Sequence, residues 1–231
     1  RRVRPLEPRA AHQVVQDDAA AAALVTEHTV AERLSLVPEL VLRTSPSLVA
    51  VWEATEAAAA AERPPPFWAF AWVGGQSIAR YLLDRPALVA GRRVLDFATG
   101  GGLVALAARR DGAAAVTAVD IDPTALVAAA INARANALDV DLVLGDVVGT
   151  SPDVDVVLAG DVCYERRTAP RIGAWLRALA RDRDLVLLGD GGRAFLPEQG
   201  LRLEARYEVT TTREIESAER RGAAVWRVLP G

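Results

Sequence analysis

Short apolar runs alternate along much of the chain with segments whose apolar residues recur at helical spacing, a pattern typical of an α/β fold. The apolar runs predict strands at 94–96, 115–120, 141–146, 153–161 and 184–190. Because helices separate most of these strands, we expect a Rossmann-like, mostly parallel sheet. Two late strands, 201–212 and 223–229, have only a charged stretch between them and predict an antiparallel edge, which gives a seven-strand sheet.

The pattern is less regular near the start of the chain, and we assign residues 1–62 to a small N-terminal extension with helical and edge-strand elements. Residues 1–24 contain no turn signals and fit either a helix or a loose tail. Residues 36–43 predict a short edge strand, because a proline lies near its start. Residues 47–61 predict a helix. The main α/β domain is assigned to residues 63–231.

A glycine-rich turn follows the first buried strand and directly precedes a predicted helix. The residues concerned are Asp96 at the strand end, Gly100, Gly101 and Gly102 in the turn, and 103–110 in the helix. Glycine lets a ligand approach the backbone closely, and the free N–H groups at a helix start bind polar or anionic groups. Taken alone, the turn is equally consistent with close packing of a helix against a strand.

Asp120 ends the next predicted strand. An acidic residue at this place is the usual hydrogen-bond acceptor for ribose hydroxyls in nucleoside-binding α/β folds. The spacing D-x-A-x-G-x-G from Asp96 to Gly102 differs from the G-x-G-x-x-G of nicotinamide and flavin binders. The sequence therefore favours a nucleoside-containing ligand of another kind.

An aromatic segment follows three consecutive prolines. It contains Phe67, Trp68, Phe70 and Trp72, although aromatic residues make up only 5% of the chain. In one interpretation these side chains lie on a strand or cap the core beneath the N-terminal segment. In the other they line a pocket, where aromatic faces attract a cation and exclude water. The sequence leaves both interpretations open.

Acidic residues also end the third and fourth strands, at Asp146 and Asp161. Because ligands bind at the carboxyl ends of parallel strands, we expect Asp161 and the nearby Tyr164 beside the glycine-rich turn. Alternatively, Asp161 only caps the following helix, and Asp146 is a solvated loop residue. With only two histidines in the chain, a Cys–His nucleophile or a histidine-rich metal site is not expected.

Composition narrows the class of protein further. The chain has 231 residues and a formal net charge of −3, which argues against general affinity for nucleic acid. Cys163 is the only cysteine, as expected in the reducing cytoplasm. No apolar run approaches the ~20 residues of a membrane span, and no signal-peptide pattern is found. Arginine supplies all 27 basic side chains, which together with the many alanines suggests a GC-rich bacterial source.

These motifs resemble those of the electron-transfer flavoprotein β-subunit lysine methyltransferases, which are class I, seven-β-strand, S-adenosylmethionine-dependent protein methyltransferases. The resemblance covers residues 26–228. It is carried by segments 66–76, 94–102, 119–123, 158–165 and 189–193, together with Asn132. The D-x-x-Y motif, here Asp161 to Tyr164, distinguishes this branch from other class I enzymes.

The resemblance implies a protein-lysine N-methyltransferase that uses S-adenosyl-L-methionine and acts on a protein, with the electron-transfer flavoprotein β subunit as the suspected substrate. It implies catalytic roles for Asp161 and Tyr164, and a substrate pocket at Trp68, Trp72 and Arg193. The implied cofactor-binding residues are Asp96, Gly100, Gly101, Gly102, Asp120, Ile121, Asp146, Trp72 and Gly75. No metal site, membrane or nucleic-acid partner is expected.

Two positions depart from the family pattern, which commonly has proline or alanine at Val73 and proline at Gly191. Glycine at the second position is expected to loosen the loop that carries Arg193. Two alternative functions use the same cofactor site: methylation of a small-molecule amine in a closed pocket, and methylation of another protein, such as a ribosomal protein. The Asn-Pro-Pro-Tyr motif of nucleic-acid amino-methyltransferases is not found at 161–164.

Overall fold

The structure, a computed structural model, describes residues 9–10, 14, 18–59 and 64–231. The strands in these ranges are β1 Arg9–Ala10, β2 Val30–Glu32, β3 Leu42–Thr44, β4 Arg93–Phe97, β5 Ala115–Asp120, β6 Asp141–Leu144, β7 Val156–Gly160, β8 Leu185–Asp190, β9 Leu201–Thr210 and β10 Arg220–Val228. The α-helices are α1 Ala19–His28, α2 Leu48–Ala59, α3 Val73–Leu83, α4 Leu103–Arg110, α5 Pro123–Ala135, α6 Ala169–Leu179 and α7 Arg213–Glu216.

Eight of the described strands form one sheet in the order β1-β6-β5-β4-β7-β8-β10-β9. Strands β6, β5, β4, β7 and β8 are parallel, whereas β10 lies antiparallel between β8 and β9. This topology confirms the predicted mostly parallel α/β sheet with an antiparallel edge. The two-residue strand β1 pairs antiparallel with β6 and adds an eighth strand in the region predicted as a helix or a tail.

The sheet is covered on both faces, which explains why its central strands are continuous apolar runs. In β7, Val156 and Leu158 pack with residues of α3, α4 and α5 on one face. Val157 and Ala159 pack with residues of α6 on the other face. All four side chains are fully buried. The central strands therefore lie between two layers of helices.

The N-terminal segment corrects one predicted element. Only the end of the predicted strand 36–43 is a strand, β3, and it pairs with β2 in a separate two-stranded sheet rather than at an edge of the main sheet. Val37 and Leu40 lie instead in a turn, where the Leu40 N–H donates to the Val37 carbonyl at 3.4 Å. Both side chains are nonetheless buried in the main core, so contacts with the rest of the protein, and not strand pairing, determine this segment.

The carboxyl ends of the five parallel strands lie at one edge of the sheet, and the glycine-rich turn and the predicted acidic residues follow these ends. The predicted domain boundary between residues 62 and 63 lies outside the described residues. Among the helices of the described ranges, none is long and apolar enough to cross a membrane.

Candidate active site

The glycine-rich turn connects β4 to α4 at this edge. Gly100 and Gly102 have φ values of 52° and 86°, in the left-handed region that favours glycine. Gly101 is needed for space, because a Cβ atom there would lie 3.0 Å from the carbonyl oxygen of Trp68. Gly102 directly precedes α4 and offers no capping side chain to the first N–H groups of that helix. The turn therefore presents backbone rather than side chains to a ligand.

Two aspartates at the strand ends are tied to this turn. The Oδ2 atom of the buried Asp96 accepts hydrogen bonds from the Thr99 hydroxyl at 2.5 Å and the Ala105 N–H at 3.0 Å. Burial nevertheless raises the pKa of Asp96 to about 7. Asp120 accepts a hydrogen bond from the Gly100 N–H at 2.9 Å, and burial raises its pKa as well. A cationic ligand group beside these carboxyls would favour their ionised forms.

Asn132, which was part of the family resemblance but had no predicted role, supports the turn from behind. Its fully buried side chain donates from Nδ2 to the Gly101 carbonyl at 2.8 Å. Its Oδ1 atom accepts from the Arg43 N–H at 2.9 Å. The sequence signal is a single amide within the apolar face of α5. The side chain links the N-terminal segment to the glycine-rich turn.

The aromatic segment forms a 3₁₀ turn, Phe67–Ala69, rather than a strand. Trp72 is the residue before α3, and its Nε1 atom donates to the Phe67 carbonyl at 2.9 Å. The ring of Phe67 lies edge-on to those of Trp72 and Tyr164, with centroid distances of 5.7 and 5.4 Å. Phe67 and Tyr164 are exposed. These three residues, Phe67, Trp72 and Tyr164, are called the aromatic rim below.

Trp68 does not belong to the aromatic rim. Its side chain is 2% exposed and packs in the hydrophobic core. The two interpretations of the aromatic segment thus apply to different residues, with Trp68 in the core and Trp72 at the cleft. The substrate-pocket role predicted for Trp68 does not fit this position, because the side chain is covered by other core residues.

Asp161 connects several elements at the end of β7. Its Oδ2 atom accepts hydrogen bonds from the Gly74 and Gly75 N–H groups at 2.6 and 3.1 Å. It therefore caps the start of α3, far away in sequence, and not the helix that follows it. The residue has a φ of 54°, which is uncommon for a non-glycine residue and is often found at functional sites. Burial raises the pKa of Asp161 to about 6, although the Arg193 charge lowers it.

Arg193 is held between two carboxylates. Its Nε atom donates to Oδ1 of Asp161 at 2.9 Å, while Nη1 and Nη2 donate to Glu216 at 3.1 and 2.6 Å. The guanidinium also lies over the Trp72 ring, 5.3 Å from its centroid. Glu216 is not recognisable as a site residue from the sequence, because it lies within a charged stretch that has the composition of a solvated loop.

The two departures from the family pattern compensate each other. A Cβ atom at Gly191 would lie 2.4 Å from Cγ2 of Val73, so the larger residue at one position requires the smaller at the other. The loop is also fixed by Asp190, whose Oδ1 atom accepts from the N–H groups of Gly192 and Arg193 at 2.6 and 2.7 Å. These hydrogen bonds hold the loop on both sides of Gly191.

A cleft lies beside the glycine-rich turn and Asp161. Its walls include Trp72, Gly75, Asp96, Gly100, Gly101 and Asp161, all of which were predicted site residues. Ile121 and Asp146 lie outside these walls. Ile121 is 74% exposed next to Asp120, and Asp146 pairs with Arg171 at 2.7 Å. Six of the predicted site residues thus line the cleft, whereas Ile121 and Asp146 are among those that do not.

The strand order, the glycine-rich turn and the acidic strand ends define a class I S-adenosylmethionine-dependent methyltransferase. Residues 81–161 match the family profile described as ribosomal protein L11 methyltransferase (PrmA). Magnesium protoporphyrin IX methyltransferase from Synechocystis, solved with bound S-adenosylmethionine, has a similar fold, with a TM-score of 0.50 and 17% identity over 67% of this chain and 77% of that chain.

Similarity over most of the chain identifies the family more narrowly. The electron transfer flavoprotein beta subunit lysine methyltransferase of Danio rerio is 36% identical over 84% of this chain and 77% of the relative. The enzyme of that name from Xenopus laevis is 33% identical over 89% of this chain and 86% of the relative. The chain belongs to the electron transfer flavoprotein beta subunit lysine methyltransferase family.

Proposed function

We propose that the protein transfers a methyl group from S-adenosyl-L-methionine to a lysine ε-amine of the electron-transfer flavoprotein β subunit. The observation that carries this proposal is the position of Asp161, which lines the cofactor-type cleft together with Trp72 of the aromatic rim. The names of the relatives supply the substrate. The cytoplasm is proposed as the compartment, because the single cysteine cannot form an intrachain disulfide.

The chain's own groups fit this cofactor. The cleft combines a glycine turn that a Cβ would obstruct, two carboxyls with raised pKa values, and apolar walls such as Leu103 and Val104. Asp96 would hold the amino group, Asp120 the ribose hydroxyls, and the turn the rest of the methionine part. Ile121 and Asp146 are proposed to lie near the adenine. When bound, S-adenosylmethionine supplies an electrophilic methyl group on its sulfonium.

The protein must make the lysine amine nucleophilic and orient it. A lysine side chain has an ordinary pKa of ~10.4, so it must lose a proton before attack. Aromatic walls exclude water and favour the neutral amine. Asp161 would accept a hydrogen bond from the amine and orient its lone pair, while the adjacent Arg193 offsets the negative charge that would otherwise retain the ammonium form. The proton leaves to water.

The exposed aromatic rim favours a lysine presented by a protein. Phe67 and Tyr164 are 39% and 53% exposed, and the Phe67 ring contacts both Tyr164 and Trp72, which lines the cleft. A small-molecule amine methyltransferase would use a closed pocket to surround its substrate. The short match to the L11 methyltransferase family keeps a ribosomal protein as the comparison substrate for the test below.

The test is transfer of radiolabelled methyl groups from S-adenosylmethionine to recombinant electron-transfer flavoprotein, to ribosomal protein L11 and to a cell lysate. We expect label in the flavoprotein β subunit, mapped to lysine by mass spectrometry and lost with Asp161→Asn. Label only in L11 or another protein would identify a different substrate but would leave the proposed protein-lysine activity in place. Label only in small molecules, or no label at all, would overturn the proposal.

A further inference from the structure

Glu216 is a buried acid outside the predicted site. It ends α7, the short helix in the connection between β9 and β10, and it is 3% exposed. A buried carboxylate is costly unless it is paired and hydrogen-bonded. Arg193 provides this pairing through two nitrogens, at 2.6 and 3.1 Å, and Arg221 lies further away, at 3.8 Å. Glu216 and Arg193 therefore form a bidentate pair.

The same guanidinium also lies against Oδ1 of Asp161, to which Nε donates at 2.9 Å and from which Nη2 lies 2.9 Å away. Because the guanidinium is planar and rigid, fixing two of its nitrogens on Glu216 also fixes the direction of the third. The opposite oxygen of Asp161 is already held by the start of α3 through the Gly74 and Gly75 N–H groups. The orientation of the Asp161 carboxylate is thus determined from both sides.

We propose that Glu216 is a positioning residue for methyl transfer, which holds Arg193 against Asp161 and so sets the orientation and effective charge of that carboxylate. This inference rests on the proposed role of Asp161 in orienting the substrate amine. Without Glu216, Arg193 keeps a single carboxylate partner and is free to turn away from Asp161. A bare Asp161 would then hold an incoming lysine as its ammonium ion, which is not a nucleophile.

The charges around Asp161 allow two roles of Glu216 to be distinguished: holding Arg193 in position, or acting only as a nearby negative charge. After burial, the strongest influence on the pKa of Asp161 is Arg193, which lowers it, followed by Asp190 and the more distant Glu216, which raise it. If Glu216 acts only as a nearby anion, its removal lowers the pKa of Asp161. If Glu216 holds Arg193 in place, its removal raises that pKa, because the stronger Arg193 effect is lost.

Glu214 offers a matched control on the same short helix. It is exposed, and its Oε1 atom accepts hydrogen bonds from the Leu48 N–H at 2.6 Å and the Ser47 hydroxyl at 3.1 Å at the start of α2. It makes none of the contacts with Arg193 that Glu216 makes. A substitution at Glu214 therefore reports general loosening of α7 without a direct change at Asp161.

The experiment measures the pKa of Asp161 by carbon-13 NMR of the aspartate carboxyls in the wild type, Glu216→Ala and Arg193→Gln. We expect the pKa of Asp161 to rise in both variants, by roughly one pH unit or more, because an opposite charge beside it is lost. Glu216→Asp keeps the charge but shortens the side chain, and it should also raise the pKa of Asp161. This variant carries the test if Glu216→Ala fails to fold. Glu214→Asp, shortened in the same way, should leave it unchanged.

Activity gives a second measurement. Glu216→Ala should lower kcat roughly a hundredfold while the affinity for S-adenosylhomocysteine stays unchanged, because misplacement of a reacting group costs rate. In an Arg193→Gln background, Glu216→Ala should cause no further loss. A lowered pKa of Asp161 in Glu216→Ala, an unchanged one in Glu216→Asp, or multiplicative losses in the double variant would overturn the inference. The NMR measurement tests the role of Glu216 even if the protein transfers no methyl group. The absence of methyl transfer would count against the proposed function and not against this inference.

Discussion

At the scale of single residues, the site is built from carboxyls that the fold holds in unfavourable surroundings. Burial raises the pKa of Asp96 to about 7 and that of Asp161 to about 6. Carboxyls with shifted pKa values are concentrated at functional sites, where a ligand or a reaction depends on their protonation state. Cys163 shows the opposite case, because burial raises the pKa of its thiol to about 12 and makes it unreactive.

Asp96 gives a prediction for cofactor binding. A ligand ammonium group requires the ionised carboxylate, whose fraction increases as the pH rises through about 7. The affinity for S-adenosylhomocysteine, measured by calorimetry, should therefore increase roughly tenfold between about pH 5.5 and 7.5. Asp96→Asn should bind weakly and lose most of this dependence. An equal pH dependence in the variant would remove Asp96 from the ligand contact.

Asp161 gives a prediction for turnover. In Asp161→Asn, the amide can still accept hydrogen bonds from the start of α3, but it has no charge to pair with Arg193. We expect kcat to fall by roughly a hundredfold or more, since the amine is no longer oriented. The affinity for S-adenosylhomocysteine, measured on the same preparation, should stay near that of the wild type. An active variant would rule out the role proposed here.

At the scale of elements, the sequence predicts most of the region from β4 to β8 because buried parallel strands are recognisable as apolar runs. It does not predict the segment around β3, where the Val41 N–H donates to Asn136, directly after α5, and the Arg43 N–H donates to Asn132 in α5. The residues of the site likewise divide into those that the sequence predicts and those that it does not. The glycine-rich turn and the acidic strand ends are local patterns, whereas the contact of Asp161 with Arg193 and Glu216 depends on the folded chain.

The end of helix α5 provides a matched pair of residues for a prediction at this scale, Asn132 within the helix and Asn136 directly after it. Asn132 and Asn136 both bind the N-terminal segment, and Asn136 accepts from the Val41 N–H at 2.8 Å and donates to its carbonyl at 2.6 Å. Only Asn132 also bonds to Gly101. Replacing either by alanine should destabilise the fold by about 1–3 kcal/mol, because partly buried backbone groups lose their partners.

The two variants should differ in ligand binding. Asn132→Ala should weaken the binding of S-adenosylhomocysteine, because the carbonyl of Gly101 is no longer held and the turn is less ordered. Asn136→Ala should bind it as the wild type does. Thermal melts and calorimetry on both proteins test this. Equal affinities in the two variants would show that Asn132 has no influence on the turn beyond the stability of α5.

At the scale of the whole molecule, the carboxyls of the site affect how stability depends on pH. Asp96 and Asp161 have folded-state pKa values of about 7 and 6, above the ordinary 3.8. Between about pH 4 and 7 the folded protein therefore holds protons that the unfolded chain has released, so stability falls as the pH rises. Asp155 has the opposite effect, since hydrogen bonds from Arg93 lower its pKa to about 2 and its contribution is lost only as the pH falls towards that value.

We therefore expect the free protein to be most stable near about pH 4–5 and to lose stability towards pH 8. The Asp96 shift alone corresponds to about 4 kcal/mol across its full range, which is several degrees in Tm for a chain of this size. Asp96→Asn should flatten the curve of Tm against pH, whereas Asp139→Asn, at an exposed aspartate, should not. A Tm that rises from pH 5 to 8 in the free protein would contradict the argument, because it would mean that other groups outweigh the buried carboxyls. The site would then not be the main source of the pH dependence of folding.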